Sequence, residues 1–267
     1  MTFRLDDIRI DFVADKPSPK APKLIQGLLG VGQVGFLAVR QLIKALNAKK
    51  VAEVYSPDFL YPGSTIPGVV YTKDGTVDLE KDEIYYDEKN ELFLLTGLYQ
   101  GIRPEGYFGF AGKLLDLCEE FSVKEIYTLA GYGTGRRPKK PGVYAVITDK
   151  NQKEIIKEYG IKMPRAPEGS LGVTGLAGLL VVLGQKNGIK SMCLMGETHG
   201  NYPDPKAAKA VLVKLCRILD IQIDTTQLDE QIEAMEKELR EIGEYMRKIA
   251  EMQKPPQVKP EELPYIG

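Results

Sequence analysis

The sequence predicts an α/β protein built on a largely parallel sheet. Three observations carry that reading. Short apolar runs alternate with stretches of helical periodicity from residue 23 to residue 223, the order expected when helices cover a parallel sheet. A glycine-rich turn, Gly30 to Gly35, joins the first of these runs to the first helical stretch. Beyond residue 225 the pattern changes to a charged heptad ladder with no strand signal, so the α/β unit ends there. The expected organisation is a core over 1–224, a heptad helix over 225–253 and a Pro-rich tail over 254–267.

The elements follow in order. Ile8 to Val13 reads as an edge strand, and Pro17, Pro19 and Pro22 make a stiff link to an apolar strand over 23–29. Phe36, Val39, Ile43 and Leu46 have helical spacing, so a helix runs from Gly35 to Asn47. Val51 to Tyr55 is the next strand, and a parallel pair with the strand before the helix is expected. Residues 68–71, 83–86 and 91–96 are β-like, and Asp74-Gly75 is a hairpin-turn signal. A helix is expected over 107–121, a buried strand over 124–130, and a glycine-rich loop from Gly131 to Pro138. Strands at 143–148 and 191–194, a short helix at 152–159, a small-residue helix ending at Leu183, an amphipathic helix over 205–219 and a last strand over 221–223 complete the core.

Composition excludes several classes. The chain has 267 residues, enough for one large domain or two small ones. Its 36 basic and 37 acidic residues leave a net charge of −1, so no global field attracts nucleic acid. Cys118, Cys193 and Cys216 are far apart and lie in apolar runs, which suits reduced thiols in a cytoplasmic protein. The opening residues lack a signal-peptide pattern, and no apolar run approaches the roughly 20 residues that span a bilayer.

The chemistry-bearing motifs are few. Gly30-x-Gly32-x-x-Gly35 follows a strand and opens a helix, the setting of a dinucleotide fingerprint. The same glycines serve equally for a tight turn and close helix–sheet packing. Glu53, about 20 residues on, falls inside a strand rather than at its end. Residues 106–113 have the wrong spacing for a phosphate loop, and Leu114 stands where Ser or Thr would hold magnesium. Arg136 and Arg137 follow three spaced glycines and could hold an anion, or be solvated at a strand exit. His199 is the only histidine, with no GxSxG turn to supply a nucleophile and no second histidine for a metal. No catalytic set, metal site or cofactor site emerges.

Leu228, Ile232, Met235, Leu239, Ile242, Met246 and Ile249 are spaced 4-3-4-3-4-3. Such a seam is about 33 Å long and its charged flanks favour pairing with another helix, within the chain or between subunits. Thr226 and Asp229 resemble a capping box. The last fourteen residues hold four prolines, so the helix stops, and Leu263, Tyr265 and Ile266 form an apolar–aromatic cluster in a polar extension.

Several runs occur together and in order: Gly27-Leu28-Leu29-Gly30-Val31-Gly32-Gln33-Val34-Gly35, Thr96-Gly97-Leu98-Tyr99-Gln100, Ile126-Tyr127-Thr128-Leu129-Ala130-Gly131, Gly172-Val173-Thr174-Gly175-Leu176, and Cys193-Leu194-Met195-Gly196-Glu197-Thr198-His199-Gly200. This set resembles the archaeal and bacterial relatives of the proteasome assembly chaperones. The resemblance implies a three-layer α/β/α sandwich, phosphorylase/hydrolase-like, with a mostly parallel mixed sheet and no catalysis. It implies an ATP-independent, homo-oligomeric chaperone or adaptor whose partners are proteasome α subunits or another assembly factor. The family's hydrophobic–tyrosine–any-residue ending docks between α subunits; here Tyr265-Ile266-Gly267 places the tyrosine third from the end. A lysine- and glutamate-rich composition suits a hot-growing archaeon. Neither nucleic acid nor a membrane is expected as partner. The alternatives are a nucleotide- or NAD-binding enzyme using Gly30, Gly32 and Gly35, and a binder of a peptide or small anion using Arg136 and Arg137.

Overall fold

The computed structural model describes residues 8–60, 65–165, 172–226, 228–230, 232–234 and 237. The chain divides into two compact units, residues 1–228 and 229–267. In the first unit the strands are β1 (Arg9–Phe12), β2 (Lys23–Leu28), β3 (Lys49–Tyr55), β4 (Val70–Tyr71), β5 (Val77–Asp78), β6 (Asp82–Asp87), β7 (Leu92–Gly97), β8 (Glu125–Gly133), β9 (Val143–Ile147) and β10 (Lys190–Thr198). The helices are α1 (Val34–Leu46), α2 (Pro104–Glu120), α3 (Gln152–Glu158), α4 (Gly175–Lys186) and α5 (Pro205–Leu219).

Eight strands form one sheet in the order β1-β3-β6-β7-β2-β8-β10-β9. Its centre, β7-β2-β8-β10, is parallel. Both flanks are antiparallel, through β1/β3, β3/β6 and β6/β7 on one side and β10/β9 on the other. The core is thus the expected mixed α/β sheet with helices on both faces. Strand alternation sorts the side chains between those faces. Ile25, Leu94, Leu129 and Leu194 pack with residues of α1 and α5 on one side. Leu24, Phe93, Leu95 and Ile126 pack with residues of α2 and α4 on the other.

Three expectations are corrected. The strands flanking α1 are not a pair, because the β6–β7 hairpin lies between β2 and β3. The Asp82–Gly97 segment is long and apolar enough to pair on both edges, and it takes the neighbouring place. Gly131 to Gly133 belong to β8 rather than to a loop, since β10 continues in register opposite them to Thr198. Residues 221–223 form no strand; Ile221 and Ile223 instead pack against the α1/α5 core. Asp224 Oδ1 accepts from the Thr226 backbone N–H at 2.8 Å, where helical backbone begins again.

The Asp74-Gly75 turn forms as expected. Gly75 sits at φ +83°, a region that suits glycine, and Thr72 N–H donates to Thr76 O at 2.9 Å between β4 and β5. Leu228, the first rung of the heptad ladder, is 1% exposed within the α1/α5 core. Helical backbone is described at Ile232. Met235, Leu239, Ile242, Met246, Ile249, Leu263, Tyr265 and Ile266 lie outside the described residues, so no long heptad helix is described.

Candidate functional site

The ordered motifs converge on one place, the crest formed where β7, β2, β8 and β10 end. Each supplies a turn there, and the turns are bonded to one another. Gly32 N–H donates to Gly200 O at 3.1 Å, and Asp204 N–H donates to Gly32 O at 2.8 Å. Gln100 ties three of the runs together: its Nε2 donates to Leu29 O, and its Oε1 accepts from Leu176 N–H at 3.2 Å. Thr198 Oγ1 donates to Asp204 Oδ2 at 2.8 Å, while Asp204 Oδ1 accepts from Ala207 N–H at 3.0 Å. Asp204 therefore caps α5 and locks the end of β10 at once.

The glycines of the fingerprint are occupied by packing. Gly32 turns with φ +60°, and a Cβ there would lie 2.7 Å from Thr198 Oγ1. At Gly35 a Cβ would lie 2.1 Å from Leu129 O, and at Gly131 one would lie 2.1 Å from Val31 O. Gln33 N–H donates to Gly30 O at 2.8 Å. The turn thus spends two of its backbone donors on its own crest rather than facing a pyrophosphate. Glu53 stands in the middle of β3, opposite Asp11 of β1 and Glu83 of β6. It is bonded to Lys50 at 2.5 Å, Lys81 at 2.9 Å and the Tyr55 hydroxyl at 2.7 Å. Burial pushes its carboxyl up, but these donors outweigh burial and hold it at about 2. It is a fixed anion within the sheet, away from the crest.

Candidate nucleophiles are placed elsewhere than the histidine. Cys118, Cys193 and Cys216 are free and buried, and burial pushes each thiol up to about 12, far from the thiolate that nucleophilic chemistry needs. His199 stacks on Tyr202 with ring centroids 5.0 Å apart, and its Nδ1 is buried without a hydrogen-bond partner. Among the described residues no group of three His, Cys, Asp or Glu side chains is placed to hold a metal ion. No described helix is long and apolar enough to cross a membrane.

Arg136 and Arg137 are exposed on the β8–β9 connection, as are Lys139 and Lys140. The Arg137 guanidinium lies 5.9 Å from the Tyr202 ring centroid. The sequence reading singled out the two arginines but missed the two lysines and the tyrosine platform. The lysines are legible two and three residues further along; the tyrosine reaches the loop only through the end of β10.

Comparison with known proteins decides the family. The profile of the PAC2 family matches residues 24–242. The chain belongs to the PAC2 family. Its resemblance to proteasome assembly chaperone relatives, drawn from the ordered runs above, holds. PAC2 relatives include the uncharacterized protein MJ1210 of Methanocaldococcus jannaschii, 35% identical over 91% of this chain and 92% of that one. Pyrococcus furiosus PbaB, described as an archaeal proteasome activator, superposes with a TM-score of 0.80 at 35% identity, covering 89% of this chain and 99% of that one. Pyrococcus furiosus PbaA, described as an archaeal homolog of proteasome-assembly chaperone, has a TM-score of 0.71 at 22% identity, covering 91% and 100%. That second likeness is one of PAC2 fold alone.

Proposed function

We propose that this chain is a non-enzymatic, ATP-independent scaffold of the proteasome-assembly chaperone and activator kind, acting as a homo-oligomer. The observation that carries the reading is the match to PbaB, a protein described as a proteasome activator, along nearly the whole of both chains. The crest supports it from the side of chemistry. Where an α/β enzyme gathers catalytic groups at its strand ends, this crest gathers glycines, Gln100, Thr198 and Asp204 whose polar atoms are committed to one another.

In this reading the ladder Leu228, Ile232, Met235, Leu239, Ile242, Met246 and Ile249 sets the assembly from its second rung onward. Leu228 belongs to the core. The tail residues Leu263, Tyr265 and Ile266 are the contact to proteasome α subunits or a related assembly partner. The test is the light-scattering mass of three chains with and without α subunits: the full chain, the chain lacking 263–267, and Leu239→Glu with Ile242→Glu. A defined oligomer that binds α subunits is expected for the full chain. The tail deletion should lose binding but keep the mass, and the double variant should lose the mass. A full chain that is a monomer indifferent to α subunits overturns the reading.

A further inference from the structure

We propose that the β8–β9 loop, residues 134–142, is a second docking surface, one that receives an acidic extended segment of a partner polypeptide. Residues 126–148 contain Arg136, Arg137, Lys139 and Lys140 and neither Asp nor Glu. All four cations are exposed, and none of the ion pairs among the described residues involves them. Lys50, by contrast, is neutralised by Glu53 and Glu83. The loop gathers four cations within residues 136–140, none of them in an ion pair among the described residues.

The cations sit on a held frame. Thr134 N–H donates to Thr198 O at 2.9 Å at one end of the loop. At the other, Gly142 N–H donates to Glu197 Oε2 at 3.2 Å, and Glu197 N–H donates to Gly142 O at 2.8 Å. Pro138 and Pro141 fix φ on either side of the two lysines. Arg137 rests over Tyr202, itself stacked on His199. Ordering of this kind lowers the entropy lost when a partner binds. An apolar contact lies alongside: Val31 is 45% exposed, and a Cβ added at Gly133 would touch its Cγ1 at 3.3 Å.

The chemistry of the occupant follows. Four exposed cations within residues 136–140 match carboxylates spaced along a partner's segment, with an apolar residue of the partner against Val31. The Gly32 and Gln33 amides of the neighbouring Gly30–Gly35 turn are bonded to Gly200 and Gly30, so they add no backbone donors for a free phosphate beside the loop. A nucleic acid would meet, beyond this single loop, a chain of net charge −5. The proposal rests on the scaffold reading only in that the partner is a protein, and it does not require the tail to dock.

The experiment is fluorescence anisotropy on the full-length chain with a labelled decapeptide of glutamates interrupted by one leucine. A glutamine counterpart and a single-stranded DNA decamer are the controls. The glutamate peptide is expected to bind, more weakly as salt rises, and to bind at least about tenfold more weakly to Arg136→Gln with Arg137→Gln, Lys139→Gln and Lys140→Gln. Lys49→Gln with Lys89→Gln, at the other end of the sheet, should leave binding unchanged, and thermal unfolding should match across all three proteins. The chain lacking 263–267 should keep peptide binding, so that a failed α-subunit assay does not decide this one. Absent peptide binding, equal binding by the quadruple variant, or tighter binding of the DNA overturns the proposal. A quadruple variant whose light-scattering mass falls overturns it too, because the loop is then a contact between copies.

Discussion

The parallel centre of the sheet and its antiparallel flank are held by opposite means. In the centre, helix and strand approach until backbone meets backbone, and side chains are absent where they touch. Gly27 of β2 and Gly35 of α1 face each other so closely that a Cβ on Gly27 would lie 2.2 Å from Gly35 O. In the flank formed by β1, β3 and β6, contacts run through carboxylates. Glu53 joins Lys50 and Lys81, Asp82 joins the end of β7, and Asp58 anchors the start of α2. A centre built on missing atoms breaks when atoms are added; a flank built on carboxyl groups breaks when they are removed or titrated.

The largest effect should therefore come from the centre. Gly35→Ala places a methyl 2.1 Å from Leu129 O and 3.4 Å from the Gly27 Cα, with backbone on both sides that cannot yield. A loss of about 4 kcal/mol or more, at the upper end for a single substitution, is expected in urea unfolding. Gly112→Ala sharpens the comparison. It lies in α2 with nothing within 4 Å of an added Cβ, and it should gain roughly 0.5–1 kcal/mol from helix propensity. Equal behaviour of the two would show that close packing is not what the crest glycines supply.

On the flank, Asp58 offers the next largest effect. Its Oδ2 accepts from Ile102 N–H at 2.8 Å and Arg103 N–H at 3.0 Å, and its Oδ1 from Arg103 Nε at 2.8 Å. Burial pushes the carboxyl up, and the Arg103 side chain and these two amides bring it below its ordinary value. Asp58→Ala leaves these donors without their acceptor, which should cost about 2–3 kcal/mol. Asp58→Asn keeps the acceptor and should cost less. Hydrogen exchange at Ile102 and Arg103 would locate the damage at the start of α2.

Asp82 and Glu53 then separate by pH. Asp82 is fully buried; burial pushes its carboxyl well above the usual range, and the Tyr99 and Leu98 amides only partly offset this. The folded chain thus keeps a proton that the unfolded chain releases near its ordinary value of about 3.9. Its contribution to stability is complete below that value and is lost as pH rises. Glu53, held at about 2, acts in the opposite sense: its contribution is present above the unfolded value of about 4.3 and is lost as pH falls through about 2. Asp82→Asn should flatten the decline of stability over the pH range above about 4, read as the slope of the unfolding free energy against pH. Glu53→Gln should leave that range unchanged and remove part of the acid sensitivity below it.

How far the sequence could be read follows from the same contrast. Centre strands are short, apolar and bounded by glycine, so β2, β8 and β10 and their helices were visible as periodicity, and the crest runs were visible as ordered motifs. Their use was not. That Gly35 presses on Leu129 and not on a pyrophosphate depends on a strand about ninety residues away in the chain. The β6–β7 hairpin was legible as two strands, but its insertion between β2 and β3 is a non-local choice that no local pattern encodes. On the flank, Asp82 carried no signal of its own, and Glu53 was legible as an acid inside a strand, at the distance of a ribose-binding acid. Asp82 is buried because Gly97 leaves room for it: a Cβ on Gly97 would lie 1.8 Å from Asp82 Oδ1. Only the folded register brings the Thr96–Gln100 run to that carboxyl.

The smallest expected effect tests whether charge matters on this flank by itself or only when it is enclosed. Lys16 lies 2.5 Å from Glu120, closer than several of the flank's ion pairs, yet the two side chains are 55% and 48% exposed. Water competes for both ends, and holding two long side chains together costs rotamer entropy. An exposed pair is worth about 0–1 kcal/mol. Lys16→Ala should therefore change the urea midpoint little, and the small change should fade as salt is raised. A loss as large as that of Asp58→Ala would mean that distance rather than enclosure sets the strength of these contacts. A negligible loss at Lys16 beside a large one at Asp58 would place the flank's stability in its enclosed carboxylates, since the Asp58 side chain is 9% exposed although its Arg103 partner is 52% exposed.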